Sequence, residues 1–135
     1  MINFHSYERI ARTFYNNNFD PELNNTHVSI ILHKRSIISI ASNNYKKTHP
    51  FTQKNKYRSI YIHSEIAAFA AMDRSFIINN CSLSLINFRF LRDSNVALSK
   101  PCEFCSTWIT QYFKHIYYSD DNGNYVNFIK EINHV

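Results

Sequence analysis

The sequence predicts a three-layer α/β/α fold over residues 1–135: a mixed sheet of four or five strands with helices on both faces. Three observations predict it. Apolar residues recur at helical spacing in three stretches and follow strand patterning in four, in the order helix, strand, strand, helix, strand, helix, strand. Hydrophobic residues make up 44% of the chain and charged residues 19%, which supports one packed core and excludes a disordered chain. The 135 residues are a single-domain length, enough to bury roughly two thirds of the unfolded surface without a disulfide scaffold.

Tyr7, Ile10, Ala11 and Phe14 form the apolar stripe of a first helix. Asn16-Asn17-Asn18 and Asp20-Pro21 stop it, and Asn24-Asn25 continues a polar loop. Val28, Ile30 and Leu32 then alternate with Ser29, Ile31 and His33 as a first strand, and β-branched Ile37, Ile38 and Ile40 mark a second. His33-Lys34-Arg35-Ser36 between them is short enough for a hairpin turn. From Asn43 to Arg58 runs a polar, basic loop with Lys46, Lys47, His49, Lys54, Lys56 and Arg58 around Pro50. Loops this long inside a small domain commonly carry function.

Ile62, Ile66, Phe69 and Ala70 mark a second helix through about Met72, and Leu83 to Leu91 reads as a third strand with Cys81 as one of its small core residues. Pro101 precedes a third helix, on which Cys105, Trp108, Ile109 and Tyr112 share a face. Ile116-Tyr117-Tyr118 is a short fourth strand ending at the Asp121-Asn122-Gly123-Asn124 turn signal. The last segment fits two patterns, a strand face of Val126, Phe128 and Ile132 or a helix stripe of Tyr125, Phe128, Ile129 and Ile132. A parallel return barely fits into Asp120–Val135, because the crossover alone takes about a dozen residues. An antiparallel hairpin through the Asn-Gly turn fits comfortably and is the expectation.

Composition narrows the function classes. No apolar run approaches the ~18 residues of a membrane span, so no membrane partner is expected. The N-terminal residues lack the basic flank and apolar stretch of a secretory signal, which points to the cytoplasm. Three cysteines, two of them three apart, suit a metal site in a reducing compartment better than a disulfide framework. Fifteen basic against ten acidic residues give a net charge of +5 and a pI near 9.2, which favours anionic partners such as nucleotides or nucleic acid.

The chemistry concentrates in two motifs, each opening a predicted helix. His63-Ser64-Glu65 opens the second helix and Pro101-Cys102-Glu103-Phe104-Cys105 the third. Cysteines at i and i+3 lie on one face of a helical turn, and the N-terminal partial charge of a helix favours their thiolate forms. One imidazole and two thiolates have the borderline-soft character that suits Zn²⁺. Three protein ligands with an open position is the catalytic pattern, because water can occupy the fourth place and be acidified. Glu65, two residues beyond His63, projects from the same turn and can move that water's proton.

H-x-E followed by P-C-x-x-C resembles the signature of the zinc-dependent cytidine and nucleotide deaminases, and the element order is similar to that fold over most of the chain. The Asn44-x-x-Lys47-Thr48-His49-Pro50 stretch is similar to small deaminases of phage- and virus-type genomes. The resemblance implies a cytidine-deaminase-like α/β/α fold with zinc between the N-termini of two helices. It implies His63, Cys102 and Cys105 as zinc ligands and Glu65 as the proton shuttle. It further implies Asn44, Ser64 and Pro101 at the substrate. The implied reaction is hydrolytic deamination by zinc-activated water, most readily of cytosine to uracil in a nucleoside or nucleotide. Lys47 and His49 in the basic loop are candidates for phosphate or nucleic-acid contacts.

Other readings stay open on the residues alone. The same chemistry could act on cytosine within DNA or RNA, or on adenosine in tRNA. A non-catalytic structural zinc site would need a fourth protein ligand, for which Cys81, His49 or His115 could serve. A thioredoxin-like redox pair lacks the strand that should lead directly into Cys102-x-x-Cys105. Small single-domain deaminases often assemble, so a homo-oligomer is also expected by fold analogy.

Overall fold

The computed structural model describes residues 2–19, 25–43, 63–91, 95–99 and 111–128. Helix α1 runs Phe4–Asn17, strand β1 Asn25–His33, strand β2 Ser36–Ser42 and helix α2 Ser64–Ala71. A one-turn helix α3, Ser75–Ile78, leads to strand β3, Leu83–Leu91; β4, Phe113–Ser119, and β5, Tyr125–Asn127, complete the described elements. They form one five-stranded sheet in the order β2-β1-β3-β4-β5. Among the described strands only the β3–β4 pair is parallel, so the sheet is mixed. The predicted fold class is the one found, with β5 the antiparallel hairpin partner of β4.

Local chemistry explains the boundaries. The Asn3 carboxamide caps α1 by accepting from the Ser6 amide at 3.3 Å, and Asn18 closes the other end onto the Phe14 carbonyl. Lys34 takes φ +60° in the β1–β2 turn, the left-handed conformation that a two-residue hairpin connection demands. At the β4–β5 turn, Asp120 Oδ1 accepts from the amides of Asn122 and Asn124, both at 2.9 Å, and Gly123 takes φ +81°.

Strand alternation divides the apolar residues between two layers. Val28, Ile30, Leu32, Ile86, Phe88 and Phe90 face α1, where they pack on Ala11 and Tyr15. Ile31, Leu83, Leu85, Ile116 and Tyr118 face the other way and pack on Ile66, Ala68 and Met72 in and beside α2. The stacked rings of Phe4 and Tyr125, 4.6 Å apart, and the Tyr125 hydroxyl donating to Glu8 at 2.6 Å join α1 to β5.

Three sequence expectations need correction. The helix Ser75–Ile78 was not anticipated; it has a single turn, too short for any hydrophobic period. Cys81 precedes β3 and packs only partly buried against the α2-side core, because the strand begins two residues later. Tyr112 lies in the turn entering β4, not on a helix stripe, and its ring meets Phe69 at 4.9 Å. The remainder of the third predicted helix, with Pro101, Cys102, Cys105, Trp108 and Ile109, lies outside the described residues.

Candidate active site at the N-terminus of helix α2

The α2-facing side of the sheet changes character along its length. Leu83 and Leu85 on β3 and Ile31 on β1 are apolar, but the next inward positions are Asn87 and Ser29, both with no solvent exposure. These two are register partners on adjacent strands. Directly over them sits the first turn of α2, whose Ser64 and Glu65 are also buried, Glu65 at 4% exposure. A buried polar group is tolerated only when hydrogen-bonded. Here the groups satisfy one another.

Asn87 is the centre of the network. Its Nδ2 donates to Glu65 Oε1 at 2.5 Å and to the Ser99 carbonyl at 2.9 Å, and its Oδ1 accepts from Ser29 Oγ at 2.5 Å. The Ser99 carbonyl can only accept, which fixes which end of the carboxamide faces it. The hydroxyl protons order themselves in turn. Ser29 gives its proton to Asn87, so across the 2.8 Å contact between Ser29 Oγ and Ser64 Oγ it is Ser64 that donates. Two hydroxyl protons thereby serve two short contacts.

A second buried serine pair continues the network. Ser99 Oγ donates to the Asn87 carbonyl at 2.6 Å, accepts from the Ser119 amide at 2.8 Å and lies 2.7 Å from Ser119 Oγ. Ser119 Oγ in turn reaches the Ala97 carbonyl at 2.7 Å. Ser99 is three residues before Cys102 in the sequence. Asn87 therefore ties the turn bearing His63-Ser64-Glu65 to the chain that leads into Pro101-Cys102-Glu103-Phe104-Cys105.

One register step beyond Asn87 and Ser29 lies a row of donors. His27 pairs with Arg89 across β1 and β3, and the Asn43 Oδ1 accepts from the His27 amide at 3.0 Å. Among the described residues, Asn43 Nδ2 and Arg89 Nε are the buried side-chain polar atoms without a hydrogen-bond partner. Natural proteins leave few such groups, and each asks for an acceptor.

His63 is the N-cap residue of α2, with extended backbone (φ −79°, ψ 156°), and its side chain does not cap the helix. The structure thus brings His63, Ser64 and Glu65 to one helix terminus. Asn44, Lys47, His49, Pro101, Cys102 and Cys105 lie outside the described residues, and among the described residues no three His, Cys, Asp or Glu side chains group as a metal site would. Asn87, Ser29 and Ser99 were missed from sequence. A signal for Asn87 existed: Asn is depleted in strands, and here it sits between Ile86 and Phe88 on the face that also carries Leu83 and Leu85. No helix among the described residues is long and apolar enough to cross a membrane.

No protein-family model and no curated protein matches the sequence. Among solved structures the chain is similar to the cytidine deaminase from Mycobacterium leprae, with a TM-score of 0.61 and 9% sequence identity over 98% of each chain. At that identity the likeness establishes architecture: the chain has a cytidine-deaminase-like α/β fold.

Proposed function

We propose that this protein is a zinc-dependent hydrolase that removes the exocyclic amine of a nucleobase, converting cytosine to uracil in a nucleoside or nucleotide. The observation that carries the reading is Glu65: a buried carboxylate in an H-x-E turn, held by Asn87, in a fold shared with a cytidine deaminase. A carboxylate with a purely surface role would not be placed under a helix terminus and supplied with a buried donor.

The donor chemistry fits zinc. His63 stands at the helix terminus without capping it, and Cys102 and Cys105 follow a segment pinned through Ser99 to the same Asn87 that holds Glu65. These three residues would hold the ion, with Cys81 and His115 not required. Bound there, zinc would supply acidification of a water molecule. The chain's own residues do the rest. Glu65 takes one proton from the water as its oxygen bonds the amine-bearing carbon and delivers it to the adjacent ring nitrogen; it then takes the remaining hydrogen of that oxygen and passes it to the amine, which leaves as ammonia. Cytosine and water become uracil and ammonia. Burial around Ser29, Ser64 and Asn87 keeps bulk water from competing for that carboxylate.

The two unpartnered donors support a base or sugar seated one row beyond. Asn43 Nδ2 and Arg89 Nε would each gain an acceptor from a substrate oxygen, which fits a pyrimidine carbonyl or a sugar hydroxyl. Asn43 adjoins Asn44, the residue singled out from sequence. The Ser64 hydroxyl is engaged by Ser29 at 2.8 Å and Asn87 Oδ1 at 3.4 Å, so its part in binding runs through its backbone.

The test is a substrate panel on the zinc-loaded protein. Ammonia and uracil are measured from cytosine, cytidine, deoxycytidine, their monophosphates, single- and double-stranded DNA, RNA, and adenosine-bearing tRNA. Turnover of a free cytosine nucleoside or nucleotide, reduced at least about 100-fold by Glu65→Gln, is the expected result. Stoichiometric zinc with no deamination of any member would overturn the proposal. Activity confined to adenosine or to polymer would move the substrate and keep the chemistry.

A further inference from the structure

We infer that Asn87 is a positioning residue for Glu65: its carboxamide sets the plane of the carboxylate and fixes it relative to the backbone at Ser99. This rests on the deaminase reading for its catalytic meaning, but the contact itself does not. A carboxylate on a two-methylene stem has three rotatable bonds, and proton transfer needs its oxygen placed to within a fraction of an ångström. Helix α2 fixes only the Cα of Glu65. Something else must fix the carboxylate.

Asn87 is built for that task. It lies on β3, the sheet's central strand, hydrogen-bonded to β1 on one side and β4 on the other, and it has no solvent exposure. The carboxamide cannot rotate away, because Oδ1 accepts from Ser29 and Nδ2 also donates to the Ser99 carbonyl. Its remaining amide hydrogen is thereby aimed at Glu65 Oε1, at 2.5 Å. A charge-assisted bond of that length is among the stronger kinds. With Oε1 held, the direction of Oε2 is set as well. The tie to Ser99 matters equally. Glu65 and the Ser99 carbonyl are each bonded to one amide nitrogen, so relative motion between them would break a buried hydrogen bond. Hydrophobic packing alone would leave that register soft.

A merely structural Asn87 would make a different set of predictions. Asn87→Asp keeps the shape and the acceptor for Ser29 but replaces both donated hydrogens with an oxygen. The expected result is a 10–100-fold fall in kcat for Asn87→Asp, with KM within about threefold of wild type and zinc content unchanged. Asn87→Ala should show the same split and a larger stability loss. The contact is read independently of turnover by nitrogen-15 NMR of the Asn87 side-chain amide, assigned by its disappearance in Asn87→Asp. One of its two protons should resonate downfield and move upfield in Glu65→Gln, where the acceptor is neutral. Unmoved Asn87 resonances in Glu65→Gln overturn the inference whatever the enzyme turns over, as does wild-type kcat in Asn87→Asp. If the amide shift is present and the wild-type protein deaminates nothing, the clamp stands and the deaminase reading alone falls.

Discussion

The serine pair beneath the site makes an asymmetric prediction that simple burial would not. Ser99 and Ser119 are both without solvent exposure and their hydroxyls lie 2.7 Å apart. Two hydroxyl hydrogens are available for three short contacts: Ser99 to the Asn87 carbonyl, Ser99 to Ser119, and Ser119 to the Ala97 carbonyl. One contact must therefore lack a hydrogen. Ser99 Oγ is also the acceptor for the Ser119 amide at 2.8 Å. Removing it in Ser99→Ala leaves that buried N–H unsatisfied, at about 1–3 kcal/mol, and loses a donated bond of about 1 kcal/mol. The sum is about 3 kcal/mol. Ser119→Ala loses the bond its hydroxyl donates to the Ala97 carbonyl but leaves no buried N–H unsatisfied, so it costs about 1 kcal/mol. In a domain of this size those losses correspond to roughly 10 °C and 3–4 °C in Tm. Urea unfolding followed by circular dichroism, with a thermal melt alongside, measures both. Equal losses, or a larger loss for Ser119→Ala, would refute the proton count and with it the bond directions assigned here.

Three further outcomes follow from other parts of the molecule. Burial pushes the Tyr125 phenol well above its usual range, helped by its hydrogen bond to Glu8 and that carboxylate's charge, and burial also raises Tyr117. An unfolded phenol ionises near 10, so these groups leave stability intact below about pH 10 and erode it as pH rises further. Tyr125→Phe should flatten that alkaline decline in a pH series of urea midpoints, and an unchanged slope would show that Tyr125 is not responsible. Phe88 is fully buried between α1 and the sheet, so Phe88→Ala should cost about 3–5 kcal/mol, read as a fall in urea midpoint at constant slope; a loss under 1 kcal/mol would mean the α1 layer is not packed as described. Dialysis against a zinc chelator should abolish turnover and readdition restore it, whereas undiminished activity in metal-free protein would remove His63, Cys102 and Cys105 from the mechanism.

How much of this was legible in the sequence depended on the length of each pattern. Helix α1 emerged where the stripe predicted it, with Tyr7, Ala11 and Phe14 on the sheet, but Ile10 is 42% exposed and Tyr15 is buried in its stead; β3, which runs without Gly or Pro from Leu83 to Leu91, emerged where expected. The β1–β2 hairpin followed from β-branched runs with a short polar gap. The one-turn helix Ser75–Ile78 gives periodicity nothing to work on. Strand β5 has only Tyr125, Val126 and Asn127, so period could not choose between strand and helix, and the room left for a crossover decided it. At the site, His63 and Glu65 were legible because their spacing carries chemistry. Asn87 and Ser99 were not, since each is bonded to residues 12 or more positions away and no local pattern announces such a partner.

One local signal did exist, and it argues for the location of the site on grounds separate from the motif. Read along the inward positions of β3, the sequence goes Leu83, Leu85, Asn87, Arg89; along β1 in the opposite direction it goes His33 at the strand end, then Ile31, Ser29, His27. Between the Leu85–Ile31 pair and the Asn87–Ser29 pair both strands turn from apolar to polar, on the same face. Stability alone would not select this, since an apolar side chain at either position would extend the core without requiring a network. Polar residues buried there are held at a cost that packing does not return, and the first turn of α2 lies directly above the transition. Replacing Ser29 by Ala, which removes the hydroxyl at nearly constant volume, separates the two interests. If the polar face exists for chemistry, Ser29→Ala should retain the fold at a cost of about 1–3 kcal/mol for the buried acceptor it deprives of a donor, while deamination falls through loss of the Asn87 anchor. Wild-type turnover in a well-folded Ser29→Ala protein would show that the polar face serves something other than the carboxylate above it.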